Sequence, residues 1–152
     1  VQVADLEAVY RDEFTGLVRL ARLLLGVADG CEDLVQDVFV RVAARPDGLT
    51  GLDNPAAYLR TGVVNACRSQ QRHAAVVRRH DPRPAEPELP AYLGEFADAL
   101  AALPERQRAA IVLRHHMDLP DDEIASLLGC RRSTVRSLVK RGLASLREVI
   151  EP

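Results

Sequence analysis

Ala125, Gly129 and Val135 fix the local architecture of the last quarter of this chain. Within 121–138 they stand four and six residues apart, in the order small, glycine, β-branched. A small side chain at the first position lets two helices cross. Glycine at the second supplies the positive φ that a tight turn between them needs. The valine at the third faces back into the pair. This is the spacing of a helix-turn-helix. From Arg131 to Arg147 the chain carries Arg131, Arg132, Arg136, Lys140, Arg141 and Arg147, and no acid. A second helix of that kind suits a major groove lined by phosphates.

The remaining chain must be built to match. At 152 residues it can hold one domain or two small ones. A hydrophobic share of 47% excludes wholesale disorder, while 4% aromatics and no Trp leave a core of Leu, Val and Ala, which favours small helical bundles over a large sheet. The formal net charge of −2 excludes a histone-like basic coat, so DNA affinity must come from local patches. Such patches exist. Residues 1–44 carry eight acids and four Arg, and residues 45–85 carry seven Arg and three Asp. The acidic front suggests a protein-facing surface and the basic stretches a nucleic-acid face, against a background reading of chance clustering on solvated helices. Cys31, Cys67 and Cys130 lie far apart at apolar helical positions, with no metal-ligand spacing, and read as small buried hydrophobes in a reducing compartment. Nothing reads as a signal peptide or a membrane span, so the expected location is cytoplasmic, with no membrane insertion.

Four prolines fall within the twelve residues 79–90. Proline removes a backbone donor and blocks helix continuation, so this segment is expected to be an extended linker. The fold class that follows is all-α: two small helical domains, 1–78 and 91–152, joined by a Pro-rich linker, the C-terminal one a helix-turn-helix. In the front domain the periodicity predicts helices over Val3–Leu25, Asp29–Ala44 and from Pro55 past Arg72. Gly26 ends the first, and Asn54 caps the third with proline at its first position. A loop with two glycines, residues 45–53, joins the last two. The rear domain is expected to hold four helices, near Tyr92–Leu103, Pro104–Met117, from Asp121, and from Ser133 to Ile150, with Asp121 and Ser133 as N-caps. Gly142 sits inside the last helix at a cost of about 1 kcal/mol against Ala.

Three faces carry candidate chemistry. Ser133, Thr134, Arg136, Ser137 and Lys140 can reach base edges, since Arg bonds both guanine acceptors and Ser or Thr bonds several bases. Arg131, Arg132 and Arg141 are placed for phosphates, which set register. On the third helix Arg60, Arg68 and Arg72 form an i+4 stripe with Thr61, Asn65 and Ser69 beside it. That face suits a separated strand, although Tyr58 is the only nearby aromatic for stacking. On the second helix Asp33, Gln36 and Asp37, with Arg41, suit a basic protein partner better than catalysis, because no His or third acid joins them. A solvated helix face is the competing reading for each. The adjacent pair His115-His116 points about 100° apart and does not share a metal easily. No nucleophile–base set, P-loop or Gly-rich nucleotide loop appears, so neither an enzyme nor a cofactor is expected.

Taken together, the chain resembles a bacterial sigma factor of the extracytoplasmic-function (ECF) group of the sigma-70 superfamily, of an actinobacterial branch. The segment 32–39 looks like the family's polymerase-binding helix. Residues 54–60, with Asn65 and Arg72, look like its minus-10 helix. Residues 103–108, then Ile124, Ala125, the turn 128–130, 134–137 and Leu146-Arg147, look like its minus-35 domain. Tyr58 stands where the family often has Trp, Ser69 where it has an acid, and Ser133 where Gly is common.

The resemblance implies core RNA polymerase and promoter DNA as partners. Asp33, Gln36, Asp37 and Arg41 would meet the β′ clamp helices, the rear domain would meet the β flap, and the linker would run toward the RNA exit path. Arg60, Thr61, Asn65, Arg68 and Arg72 would serve the minus-10 element, with the loop 46–53 and Asn65 around a flipped base. The rear helix would read the minus-35 duplex. Members of the group are commonly held by an anti-sigma factor. The alternative is a stand-alone helix-turn-helix regulator binding duplex DNA as a dimer, which would need an exposed apolar patch or heptad seam on the rear domain.

Overall fold

The computed structural model describes residues 3–27, 29–80 and 94–150, and every regular element among them is helical. They are α1 (Val3–Leu25), α2 (Cys31–Ala43), α3 (Pro55–His80), α4 (Gly94–Ala102), α5 (Glu105–Ile111), α6 (Asp121–Leu128) and α7 (Arg132–Ile150). The chain forms two compact units. One comprises Val1–Ala21 with Asp29–Pro84, the other Arg22–Ala28 with Ala85–Pro152. Residues 79 and 80 continue α3, and the rest of the expected linker lies outside the described residues.

The first unit packs α1, α2 and α3 through aliphatic stripes. Leu17, Leu20 and Ala21 of α1, Cys31, Val35 and Val38 of α2, and Leu59, Val63 and Val64 of α3 are all buried. The expected second helix starts two residues later than its periodicity suggested, at Cys31 behind Gly30 in the left-handed region. Phe39 is buried too, and its ring meets Tyr10 edge-on at 4.9 Å while Tyr10 stacks on Phe14 at 4.7 Å. The pattern of aliphatic residues did not reveal this trio. The start of α3 is as expected: Asn54 Oδ1 accepts the Ala57 N–H at 3.1 Å. Between α2 and α3 the loop is a run of turns, held by buried Leu49 and by the Thr50 N–H donating to the Asp47 carbonyl at 2.8 Å. Where α3 crosses α2, a Cβ at Gly62 would stand 2.9 Å from Val38 Cγ1, so the glycine sets the approach.

In the second unit Ala99, Leu100, Leu103, Ile111 and Leu146 form a core against which Leu23 packs. Arg108 is buried beside it: Nε donates to the Leu24 carbonyl at 2.9 Å and Nη1 to the Ala101 carbonyl at 2.8 Å. Helix ends leave such carbonyls unsatisfied, and one planar guanidinium serves two of them. Burial pushes the Arg108 pKa down, and nearby Glu105 pushes it back up.

Beyond Ile111 the helix widens into a π-helical turn, Val112–His116, which ends with the Met117 N–H on the Val112 carbonyl at 3.1 Å. The widened turn buries Val112 and Leu113. Two expected caps are corrected. Pro120, in extended conformation, holds the N-cap position of α6, and Asp121 is the first helical residue, paired with Arg114 Nη1 at 2.8 Å. Helix α7 begins at Arg132, with the Val135 N–H on the Arg131 carbonyl at 3.1 Å, so Ser133 lies inside the first turn.

Candidate nucleic-acid interface

The turn between α6 and α7 has the geometry its three spaced residues require. Ala125 is buried in the helix crossing. Gly129 adopts φ 64° and ψ 41°, and the N–H groups of Gly129 and Cys130 both donate to the Ala125 carbonyl. A side chain at that φ would be strained, which is why glycine follows α6. Val135 is fully buried.

Helix α7 is divided lengthwise. Val135, Leu138, Val139, Gly142 and Leu146 face the core. Ser133, Arg136, Ser137 and Lys140 are all exposed, as are Arg131, Arg132 and Arg141, and Thr134 is half-buried. The structure thus brings Ser133, Arg136, Ser137 and Lys140 onto one solvent-exposed face, with Thr134 only partly open and Arg131, Arg132 and Arg141 also exposed. From Arg131 to Arg147 there is no carboxylate, so every charged side chain of that stretch is basic.

The first unit presents a cleft between α2 and α3. At one end it is lined by Asp33, Asp37, Ser69, Gln70 and His73. At the other it is lined by Arg45, Tyr58, Thr61, Asn65 and Ser69, with no acid among the lining residues. Arg41 lines both ends. The cleft is therefore acidic toward the start of α2 and basic toward its end. Of the residues expected on the minus-10 face, Thr61 and Asn65 line the basic end. Arg60 and Arg68 are half-buried and Arg72 exposed, and none of the three lines the cleft.

The predicted docking residues Asp33, Gln36 and Asp37 of α2 are also divided. Asp33 and Asp37 border the cleft with α3, whereas Gln36 borders a groove toward α1 lined by Leu6, Tyr10, Phe39 and Val40. All three are exposed.

Sequence reasoning missed the role of Arg45. Its guanidinium carbon lies 4.7 Å from the Tyr58 ring centroid, a cation–π contact between the loop that follows α2 and the start of α3. No local signal links two residues thirteen positions apart across an irregular loop. Among the described residues no three His, Cys, Asp or Glu side chains gather to hold a metal, and no helix is long and apolar enough to cross a membrane.

Comparison with known proteins places these features in one family. The family model for sigma-70 region 2 matches residues 9–76, and that for sigma-70 region 4 matches residues 93–146. The RNA polymerase sigma-E factor of Streptomyces avermitilis is 32% identical, over 99% of this chain and 87% of its own. The ECF RNA polymerase sigma factor SigL of Mycobacterium tuberculosis is 30% identical, over 99% of this chain and 91% of its own. A solved structure of the sigma factor RpoE in complex with the anti-sigma factor NepR, from Bartonella quintana, matches with TM-score 0.79 at 27% identity, covering 98% of each chain. Two helical units, a basic helix-turn-helix in the second and matches to both sigma regions lead to one conclusion: the chain belongs to the sigma-70 superfamily of bacterial RNA polymerase sigma factors, in its ECF group, and is a promoter-specificity factor for transcription initiation.

Proposed function

We propose that the two units divide promoter recognition between them while core polymerase holds both. The α7 face carries the reading of the minus-35 duplex. Ser133, Thr134, Arg136, Ser137 and Lys140 contact base edges, and Arg131, Arg132 and Arg141 contact phosphates. The observation that carries this is the exposure of Arg136, Ser137 and Lys140 on a helix whose other face is sealed by Val135 and Leu138.

In the first unit Asp33, Gln36, Asp37 and Arg41 dock on the β′ clamp helices. The minus-10 element is met by α3, through Thr61 and Asn65 in the cleft and Arg60, Arg68 and Arg72 outside it. The loop 46–53 completes a pocket for an extruded base. The β flap receives the second unit. The domains are 1–78 and 91–152, the segment 79–90 leads toward the RNA exit path, and the protein works in the cytoplasm on the nucleoid. An anti-sigma factor, of the kind that holds the Bartonella quintana sigma factor, is a further partner.

Run-off transcription tests the reading. Core polymerase with this chain is expected to initiate from a defined set of promoters bearing both elements. No initiation, combined with tight binding of the isolated chain to a palindromic duplex, would support a stand-alone dimeric regulator instead.

A further inference from the structure

We propose that residues 22–27 form an autoinhibitory plug. Seated in the second unit and latched by Arg108, they keep the free chain from spanning both promoter elements. They leave their seat when core polymerase and promoter engage the chain. The inference rests on the two-element reading above and adds a closed state of the free chain to it.

The seat is fitted to a helix end. Helix α1 begins in the first unit, yet by its contacts its last turn belongs to the second. Leu23 packs on Ala99, Leu100, Leu103, Ile111 and Leu146. The Leu24 carbonyl, left open where the helix stops, accepts from Arg108 Nε at 2.9 Å, while Arg108 Nη1 donates to the Ala101 carbonyl at 2.8 Å. The Gly26 N–H closes the turn on the Arg22 carbonyl at 2.9 Å. A Cβ at Gly26 would stand 3.3 Å from Ala101 Cβ and 3.4 Å from Arg108 Nη1, so only glycine enters this seat without crowding.

The same seat can empty. The core beneath it is drawn from residues 99–146 alone, and Leu23 on top of it stays half-buried. When the plug leaves, Arg108 keeps the Ala101 carbonyl and its Nε turns to entering water, so no charged donor is stranded. Function requires that departure. The minus-10 and minus-35 elements centre about 25 base pairs apart, roughly 85 Å of duplex. Helix α3, with 26 residues, and α7, with 19, measure about 39 and 28 Å. Even laid end to end these two helices fall short of that separation, and a seated plug leaves no free chain between α1 and the second unit. Polymerase and promoter therefore bind only the unplugged fraction, which lowers their apparent affinity for the chain by that fraction.

The test titrates the full chain into core polymerase on a promoter bearing both elements and reads run-off transcript. Gly26→Ala crowds the seat, and Leu23→Gln weakens its apolar contact. Both should reach half-maximal transcription at about threefold lower chain concentration than the parent, because more of the chain is open. Gly16→Ala, elsewhere in α1 where a Cβ meets nothing within 4 Å, should match the parent. Dyes on Thr15→Cys and Ser126→Cys, two exposed positions, in a Cys130→Ser background report the plug itself. Energy transfer should change when the promoter complex forms, and free Gly26→Ala should already be shifted toward the value of that complex. Half-maximal concentrations unchanged or raised in both seat variants, or transfer identical in the free chain and the promoter complex, overturns the plug while leaving promoter recognition intact. A parent holoenzyme that transcribes equally well without the minus-35 element overturns the two-element reading and this inference with it.

Discussion

The backbone of Gly142 in α7 packs directly on the Ile111 side chain of α5. A Cβ built at Gly142 would strike Ile111 Cδ1, with Ile111 Cγ1 at 3.3 Å and Gln107 Cβ at 3.5 Å behind it. Two opposed effects then decide what alanine does there. Helix propensity favours Ala by about 1 kcal/mol, and overpacking a buried contact costs about 1–3 kcal/mol. Ile111 is 3% exposed and has little room to yield, so crowding is expected to win. Gly142→Ala should lower stability by about 1 kcal/mol in urea unfolding followed by circular dichroism. In an Ile111→Val background, which removes the offending methyl, the same substitution should become neutral or stabilising. A stabilising Gly142→Ala in the parent chain would show that the crossing is looser than its geometry.

That glycine also marks the boundary of what the sequence made legible. Aliphatic periodicity located all the helices of the described residues, because burial of Leu, Val and Ile on one face is a local pattern. It gave no reason for Gly142, because the reason is Ile111 in another helix. Asp121 and Ser133 had the chemistry of caps, but Pro120 already fixed an extended entry to α6 and Asp121 found Arg114 instead. The exposed face of α7 was readable since base-facing positions repeat with the helix. The Arg45–Tyr58 contact was not, since it is made only when α2 and α3 fold together around the loop.

The cysteines should differ sharply in reactivity. Burial, and secondarily Cys31, pushes the Cys67 thiol up to about 12, while Cys130 is half-buried. The thiolate is the reactive form, so iodoacetamide at pH 8 should modify Cys130 first and spare Cys67 until the chain unfolds. Mass spectrometry of the labelled peptides reads this directly. The linkage has a definite sign. Cys67 binds its proton more tightly in the folded state, so its contribution to stability is complete below the unfolded thiol pKa and declines as pH rises toward 12. Rapid labelling of Cys67 in the native protein would mean that α2 and α3 open locally.

Docking through α2 predicts a charge-dependent affinity for core polymerase. Asp33 and Asp37 are exposed along one border of the helix, away from its buried Leu34, Val35 and Val38. Asp33→Lys with Asp37→Lys should leave the helical circular dichroism unchanged and weaken core binding by at least about tenfold. Raising salt should narrow the difference between variant and parent. Unchanged affinity would move the docking surface off this side of α2, toward the groove that Gln36 and Val40 share with α1.

On α7 the distinction between reading and positioning can be separated by two substitutions. Arg136 lies on the exposed face with Ser133, Ser137 and Lys140, and Arg141 lies one position beyond Lys140. If Arg136 meets a base edge, Arg136→Ala should cost about 1–3 kcal/mol on promoters with the preferred minus-35 sequence. It should cost much less on variants altered at the contacted pair, flattening the sequence preference. If Arg141 meets phosphate, Arg141→Ala should weaken all promoters alike and reduce the salt slope of binding by about 1. Holoenzyme affinities across a minus-35 library at several salt concentrations measure both quantities at once. A uniform loss for Arg136→Ala, together with a flattened preference for Arg141→Ala, would exchange the two roles and rotate the recognition face around the helix.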